Sequence, residues 1–268
     1  MTHSARSTSP SSFPSPPSQG TRSPGAPPGT NDEAAASRYI RKLFTDVSGR
    51  YDLLNHVLSF QIDRYWRRAT ARRFRATLDR PDARVLDLCC GTADLTISLA
   101  RGSRARITSS DFCHPMLEQA REKLSRQSLP LLVAEADALR LPFADATFDL
   151  VACSFGFRNL ANYRAGLGEI LRVLKPGGEV GILEFGTPRG FPIGPLYSFY
   201  FHRILPAAGE WISGVKGSYS YLASSVDRFP EPQELEAWMR ESGYTDVSRR
   251  EMTGGIAVLY CGKKLGSA

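Results

Sequence analysis

From Arg84 onward, apolar residues gather in short runs of strand length, and between those runs they recur three or four positions apart. The runs predict strands at 84–90, 106–111, 130–135, 148–155, 178–185, 246–252 and 256–262. The helical spacing predicts helices near 93–101, 115–127, 162–174 and 231–243. Strands that alternate with helices predict an α/β fold, a doubly wound, mainly parallel sheet of seven strands. Only Thr253-Gly254-Gly255 separates the last two strands, so they are expected as an antiparallel hairpin, since a parallel pair needs a longer crossover. Upstream, residues 33–78 read as a helical cap on the same domain, 33–268. Tyr39, Ile40, Leu43 and Phe44 fall at helical spacing, and Arg64, Arg67, Arg68, Arg72, Arg73 and Arg75 interleave with Tyr65, Trp66 and Phe74.

Residues 1–32 change the picture at one end. This Ser- and Pro-rich stretch cannot bury enough apolar surface to offset its ordering entropy and is expected to be a disordered tail. Its prolines forbid the amphipathic helix of a mitochondrial presequence, and no signal-peptide apolar region is visible, so a cytoplasmic protein is expected. No apolar run is long enough to span a bilayer. The formal net charge of +7 leaves a polyanion or an anionic membrane surface open as a partner. Cys89, Cys90, Cys113, Cys153 and Cys261 show no metal-ligand spacing; reduced, buried thiols and no metal are expected.

Candidate chemistry centres on RVLDLCCGTAD (84–94), a strand that ends at Gly91-Thr92 and opens into a helix. A glycine there lets a ligand approach the main chain, and a helix N-terminus favours anionic groups. Asp111 closes the next strand 20 residues beyond Gly91, about the offset at which nucleotide-binding βαβ units place a carboxylate on a ribose. KPGG (175–178) has no Ser or Thr following on a helix and reads as a turn rather than a phosphate loop.

A seven-stranded sheet with that terminal hairpin resembles the class I S-adenosylmethionine-dependent methyltransferase fold. Five blocks narrow the resemblance: YDLLNHVLSFQIDRYW (51–66), SFGFRN (154–159), RVLKPGGEVGILEFGTP (172–188), SYSYLASSVDRFP and TGGIAVLYCG. Over residues 40–264 the chain is similar to the quinone-biosynthetic C-methyltransferases. That resemblance implies S-adenosylmethionine as methyl donor, held by Asp87, Gly91, Thr92, Asp111, Asp137, Ala138 and Ser154. It implies methylation of a prenylated quinol ring, demethylmenaquinol to menaquinol, with a ubiquinone-pathway methoxy-benzoquinol as the alternative. Arg158, Asn159 and Tyr51 are the implied catalytic residues, Arg158 as a fixed charge beside the quinol oxygen. His3, His56, His114 and His202 match no catalytic position of the family.

Three departures stand out: Ala93 and Gln61 where the family carries glycine, and Lys216-Gly217 in place of a more acidic segment. The methyl of Ala93 is expected to crowd the cosubstrate. A prenylated substrate implies work at a membrane surface, and the arginine-rich helix is the expected contact. The aromatic stretch 191–212 reads as a wall for a lipidic substrate, as core, or as the surface of a homodimer. SFGFRN lacks the Pro-Pro-aromatic ending of amino-group methyltransferases acting on nucleic acid, so no nucleic-acid partner is expected. A binding protein that has kept the fold without the activity is the remaining alternative.

Overall fold

The computed structural model describes residues 32–50, 56, 59–129, 132–188, 193–205 and 218–266. Strands β1 (Arg84–Leu88), β2 (Arg106–Asp111), β3 (Val133–Glu135), β4 (Phe148–Ser154), β5 (Leu174–Phe185), β6 (Tyr244–Met252) and β7 (Ala257–Lys264) form one sheet. Their order is β3-β2-β1-β4-β5-β7-β6, parallel up to β5 and antiparallel from there. Between β6 and β7 the chain turns through Thr253–Gly255, with Gly254 and Gly255 at φ 66° and 92°, a region glycine enters without a Cβ penalty. The predicted hairpin is therefore present, but its second strand is the one that joins β5. β6 is left at the edge, where its charged Arg249, Arg250 and Glu251 discourage further strand pairing.

The helices are α1 (Glu33–Val47), α2 (Ile62–Arg73), α3 (Arg75–Leu78), α4 (Asp94–Ala100), α5 (His114–Arg126), α6 (Tyr163–Val173), α7 (Ile193–Phe199), α8 (Ser218–Arg228) and α9 (Pro232–Glu241). α7 continues into a π-helical turn, Tyr200–Ile204. Alternate residues of the central strands feed two apolar layers. Leu86, Leu88, Val151 and Ile182 meet Leu167 and Ile170 of α6 and Leu235 and Met239 of α9. Val85, Leu150, Ala152 and Leu183 meet Leu95 and Leu99 of α4 and Trp66 and Phe74 of the α2 region. Phe74 lies so close to β5 that a Cβ on Gly181 would stand 2.4 Å from its ring.

Two boundaries differ from expectation. β5 starts at Leu174, because Leu174 pairs with Phe148 before the register shifts through Gly177 (φ 75°) and resumes at Glu179. The turn read from KPGG is an irregularity inside the strand. β3 is shorter than predicted among the described residues, and 130–131 lie outside them. Among the described residues no helix is long and apolar enough to cross a membrane.

Candidate active site

The sheet changes direction of winding between β1 and β4, the place where open α/β sheets leave a crevice beyond their strand ends. The loop that follows β1 is tightly coiled there: Cys89, Gly91 and Ala93 have φ of 54°, 54° and 71°, every second residue left-handed. Asp111, at the end of β2, fastens this loop. Its Oδ2 accepts the Gly91 N–H and its Oδ1 the Cys113 N–H, both at 2.9 Å. Burial pushes the Asp111 carboxyl above its ordinary pKa, against these backbone hydrogen bonds, which favour the ionised form.

A cleft of about 850 Å³ opens above the loop. Gly91, Thr92, Asp111, Asp137, Ala138, Ser154 and Asn159 all line it, so six of the seven implied cosubstrate residues come together. Asp87 is the seventh and is not in the wall. It is fully buried under the loop, with Oδ2 accepting from Thr96 Oγ1 at 2.5 Å and Oδ1 without a partner, and burial pushes its carboxyl up to about 7. Ala93 is also absent from the lining. Its methyl packs with Ile97, Ala120 and Leu124, so the expected crowding of the cosubstrate does not arise.

The sequence reading missed several wall residues. Ser37 and Phe44 of α1 reach over the cleft, Phe112 and Met116 follow Asp111, and Asp94 and Arg67 close the side toward α2. Phe112 follows a recognised carboxylate and could have been flagged; Ser37 and Phe44 carry no local signal.

A second cavity, of about 840 Å³, lies on the far side of Phe155 and Arg67, which line both spaces. Its wall is aromatic: Phe60, Trp66, Phe185, Tyr197, Tyr200 and Phe201 contribute. The rings interlock, with Phe155 and Phe185 centroids 4.5 Å apart and Phe60 and Tyr200 5.8 Å apart. Part of the aromatic stretch thus faces this cavity, while Trp211 lies outside the described residues, as do Tyr51 and Lys216-Gly217. Arg158 lines the same cavity, buried, with its guanidinium 2.8 Å from Glu184 Oε2 and its own backbone N–H donating to Glu184 Oε1 at 3.0 Å. Its neighbour Asn159 faces the cleft and accepts from Tyr221 Oη at 3.2 Å. Consecutive residues therefore serve the two cavities.

A charged cluster sits where the two spaces meet. Asp63, buried, accepts from Ser59 Oγ at 2.7 Å, from His56 Nδ1 at 2.9 Å and from Arg67. Burial alone would raise the Asp63 carboxyl, but the His56 hydrogen bond and the Arg67 charge hold it well below the usual carboxylate range. Asp94 is likewise held low against its burial, by Arg67 and by Lys123.

A cleft that gathers Gly91, Thr92, Asp111 and Asp137 beside an aromatic cavity is a place where two ligands can meet. The family model for the ubiE/COQ5 methyltransferases matches residues 32–264. The chain belongs to the ubiE/COQ5 methyltransferase family. It is 43% identical over 238 residues to a demethylmenaquinone methyltransferase from Deinococcus radiodurans, covering 88% of this chain and 97% of the relative. A ubiquinone/menaquinone biosynthesis C-methyltransferase UbiE from Geobacter sulfurreducens is 41% identical over 231 residues, covering 84% and 88%. Among solved structures, an S-adenosylmethionine-dependent methyltransferase from Thermotoga maritima superposes with a TM-score of 0.59 at 17% identity, over 84% of this chain and 99% of that one. This last likeness concerns the fold. Like the rest of the ubiE/COQ5 methyltransferase family, the chain is an S-adenosylmethionine-dependent methyltransferase.

Proposed function

We propose that this chain transfers a methyl group to a ring carbon of a prenylated quinol, converting demethylmenaquinol to menaquinol. The observation that carries the reading is the shared wall. Phe155 and Arg67 belong to the walls of both the cosubstrate cleft and the aromatic cavity, so a donor in one and a flat apolar ring in the other would meet there. The residues present fit S-adenosylmethionine. Asp111 uses one lone pair of each oxygen on backbone N–H groups and keeps others for the two ribose hydroxyls. Asp137 and Ala138 flank the adenine end, and Gly91 and Thr92 leave room for the methionine end. Asp87 supports the loop from below through Thr96.

S-adenosylmethionine supplies an electrophilic methyl, so the protein's task is alignment and the management of one proton. Holding carbon and methyl in line can remove several kcal/mol of barrier. Arg158 stays protonated and cannot act as a base. With Glu184 beside it, it orders the cavity floor and presents a hydrogen-bonding edge to the quinol oxygen. Asn159, held by Tyr221, positions the ring from the cleft side.

The substrate's prenyl tail belongs in a bilayer, and the exposed Phe60, Leu196, Phe199 and Ile204 lie on the segments that also line the aromatic cavity. This supports docking on a membrane surface through that face. The deciding assay combines purified protein, S-adenosylmethionine and chemically reduced demethylmenaquinol, with mass spectrometry of the quinone. A product in which one ring hydrogen is replaced by methyl, with stoichiometric S-adenosylhomocysteine, is expected. Turnover of a methoxy-benzoquinol but not the naphthoquinol would move the assignment to the ubiquinone pathway, and turnover of neither would refute it.

A further inference from the structure

Among the described residues, the charged side chains in the wall of the cosubstrate cleft are Arg67, Asp94, Asp111 and Asp137. The strand order β3-β2-β1-β4 spaces them along it. Asp137 follows β3 and Asp111 ends β2, so a nucleoside with its ribose on Asp111 and its base toward Asp137 extends its 5′ side across the loop after β1. There the wall carries one charge of each sign. Asp94 opens α4 directly behind the loop, and Arg67 reaches the same place from α2. Asp87, implied by the motif as a cosubstrate residue, is out of reach beneath the loop.

The two side chains stand close without satisfying each other. Arg67 Nη1 lies 3.9 Å from Asp94 Oδ2, near enough to attract and too far for a direct hydrogen bond. The guanidinium is 7% exposed, with the Phe155 ring centroid 5.3 Å from its central carbon. Its Nη1 donates to Asp63, while the buried Nε has no hydrogen-bond partner among the described residues. Asp94 receives Lys123 on Oδ1, and on Oδ2 His56 Nε2 approaches only to 3.4 Å. Against the burial of Asp94, Arg67 and Lys123 keep it ionised. A guanidinium carries its charge throughout. We propose that Arg67 and Asp94 together hold the zwitterionic amino-acid end of S-adenosylmethionine, Arg67 donating to the α-carboxylate and Asp94 accepting from the α-ammonium. The inference rests on the placement of the ribose at Asp111 given above, and holds whichever quinol accepts the methyl. Because Arg67 also lines the aromatic cavity, the same contact anchors the donor at the wall the two spaces share.

Isothermal titration of the full-length protein compares S-adenosylhomocysteine, its decarboxylated form, its deaminated form and 5′-methylthioadenosine, which lacks the amino-acid end altogether. The parent is expected to lose about 10²-fold in affinity with the carboxylate and about 10-fold with the amine. Arg67→Gln should weaken S-adenosylhomocysteine about 10²-fold and leave the decarboxylated form and 5′-methylthioadenosine within about threefold. Asp94→Asn should weaken S-adenosylhomocysteine about 10-fold and leave the deaminated form within about threefold. Should Arg67→Gln fail to fold with Asp63 stranded, the double variant Asp63→Asn, Arg67→Gln, which removes the buried pair together, is read in its place. Equal binding of all these thioethers by the parent overturns the proposal. So does an equal weakening of all of them in either variant, which would make the pair a strut between α2 and α4. The nucleoside alone reports the placement: Asp111→Ala should weaken 5′-methylthioadenosine about 10-fold or more, and unchanged binding would refute the placement and the proposal with it.

Discussion

Arg158 sits 5% exposed at the end of β4 with Glu184, fully buried, as its counter-charge. Removing the arginine alone strands a carboxylate in the sheet, so Arg158→Ala is expected to cost about 3–5 kcal/mol of stability. Adding Glu184→Gln removes the stranded charge and should recover a large part of that loss in thermal melts. Activity should behave differently: if the guanidinium edge stabilises charge on the quinol oxygen, both variants stay about 10²-fold down in kcat. A double variant with restored stability and full turnover would reduce Arg158 to a neutraliser of Glu184. The residue is visible in SFGFRN, but its partner is 26 positions away on another strand, and only the parallel pairing of β4 with β5 brings them together.

At the scale of elements, the helix with the densest arginines is less of a basic face than its composition suggests. Trp66 and Phe74 are 2% and 1% exposed in the core under β5, and Arg67 is turned inward onto Asp63. Arg73 pairs with Glu179 and Arg75 with Asp79, while Arg64, Arg68 and Arg72 are exposed on the outward face. The start of α2 also explains one departure from the family pattern. Gln61 caps the helix in the left-handed region at φ 61°, exposed and with no capping hydrogen bond from its side chain. A Cβ there costs about 1–2 kcal/mol, partly offset by the entropy that glycine loses on folding. Gln61→Gly is therefore expected to raise stability by about 0.5–1 kcal/mol in denaturant melts, with activity unchanged. A lower midpoint would show that the side chain makes a contact worth more than the strain.

For the whole molecule, the aromatic cavity and the exposed apolar residues share two stretches of chain. Phe60 is 73% exposed, and beside it α7 with its π turn shows Leu196 and Phe199 at 70% and 59%. Tyr197, Tyr200 and Phe201 of the same segment face inward. Arg64 and Arg68 follow Phe60 at four-residue steps on α2, the arrangement of an interfacial surface with apolar residues flanked by cations. Vesicle co-sedimentation should show binding that needs anionic lipid and weakens with salt. A Phe60→Ser, Leu196→Ser, Phe199→Ser variant should lose most of it, and Arg64→Glu, Arg68→Glu should remove its lipid selectivity. Undiminished binding by the triple serine variant would place the contact elsewhere.

The sequence by itself determined the sheet's strands and helices, its hairpin and the strand-to-helix turn at Gly91 with Asp111 on the next strand; Thr92, Asp137, Ala138, Ser154 and Asn159 were implied by the likeness of its motifs to the family. The first group depends on local information: periodicity sets the element, and the end of a strand sets which residues face the crevice. What tertiary structure alone decided is the reach between distant segments. Asp87 and Ala93 stand inside the cosubstrate motif yet lie beneath the loop: Asp87, still on β1, is held by Thr96 of α4, and left-handed Ala93 turns its methyl into the packing with α4 and α5. The aromatic cavity draws on residues from 59 to 256, and the cluster of Asp63, Arg67, Asp94 and Lys123 spans α2, α4 and α5, with His56 joining it from ahead of α2. No spacing rule joins such positions. They meet because the apolar face of α2 is buried against β5 and α4, and its charged residues are carried with it to the seam between the two cavities.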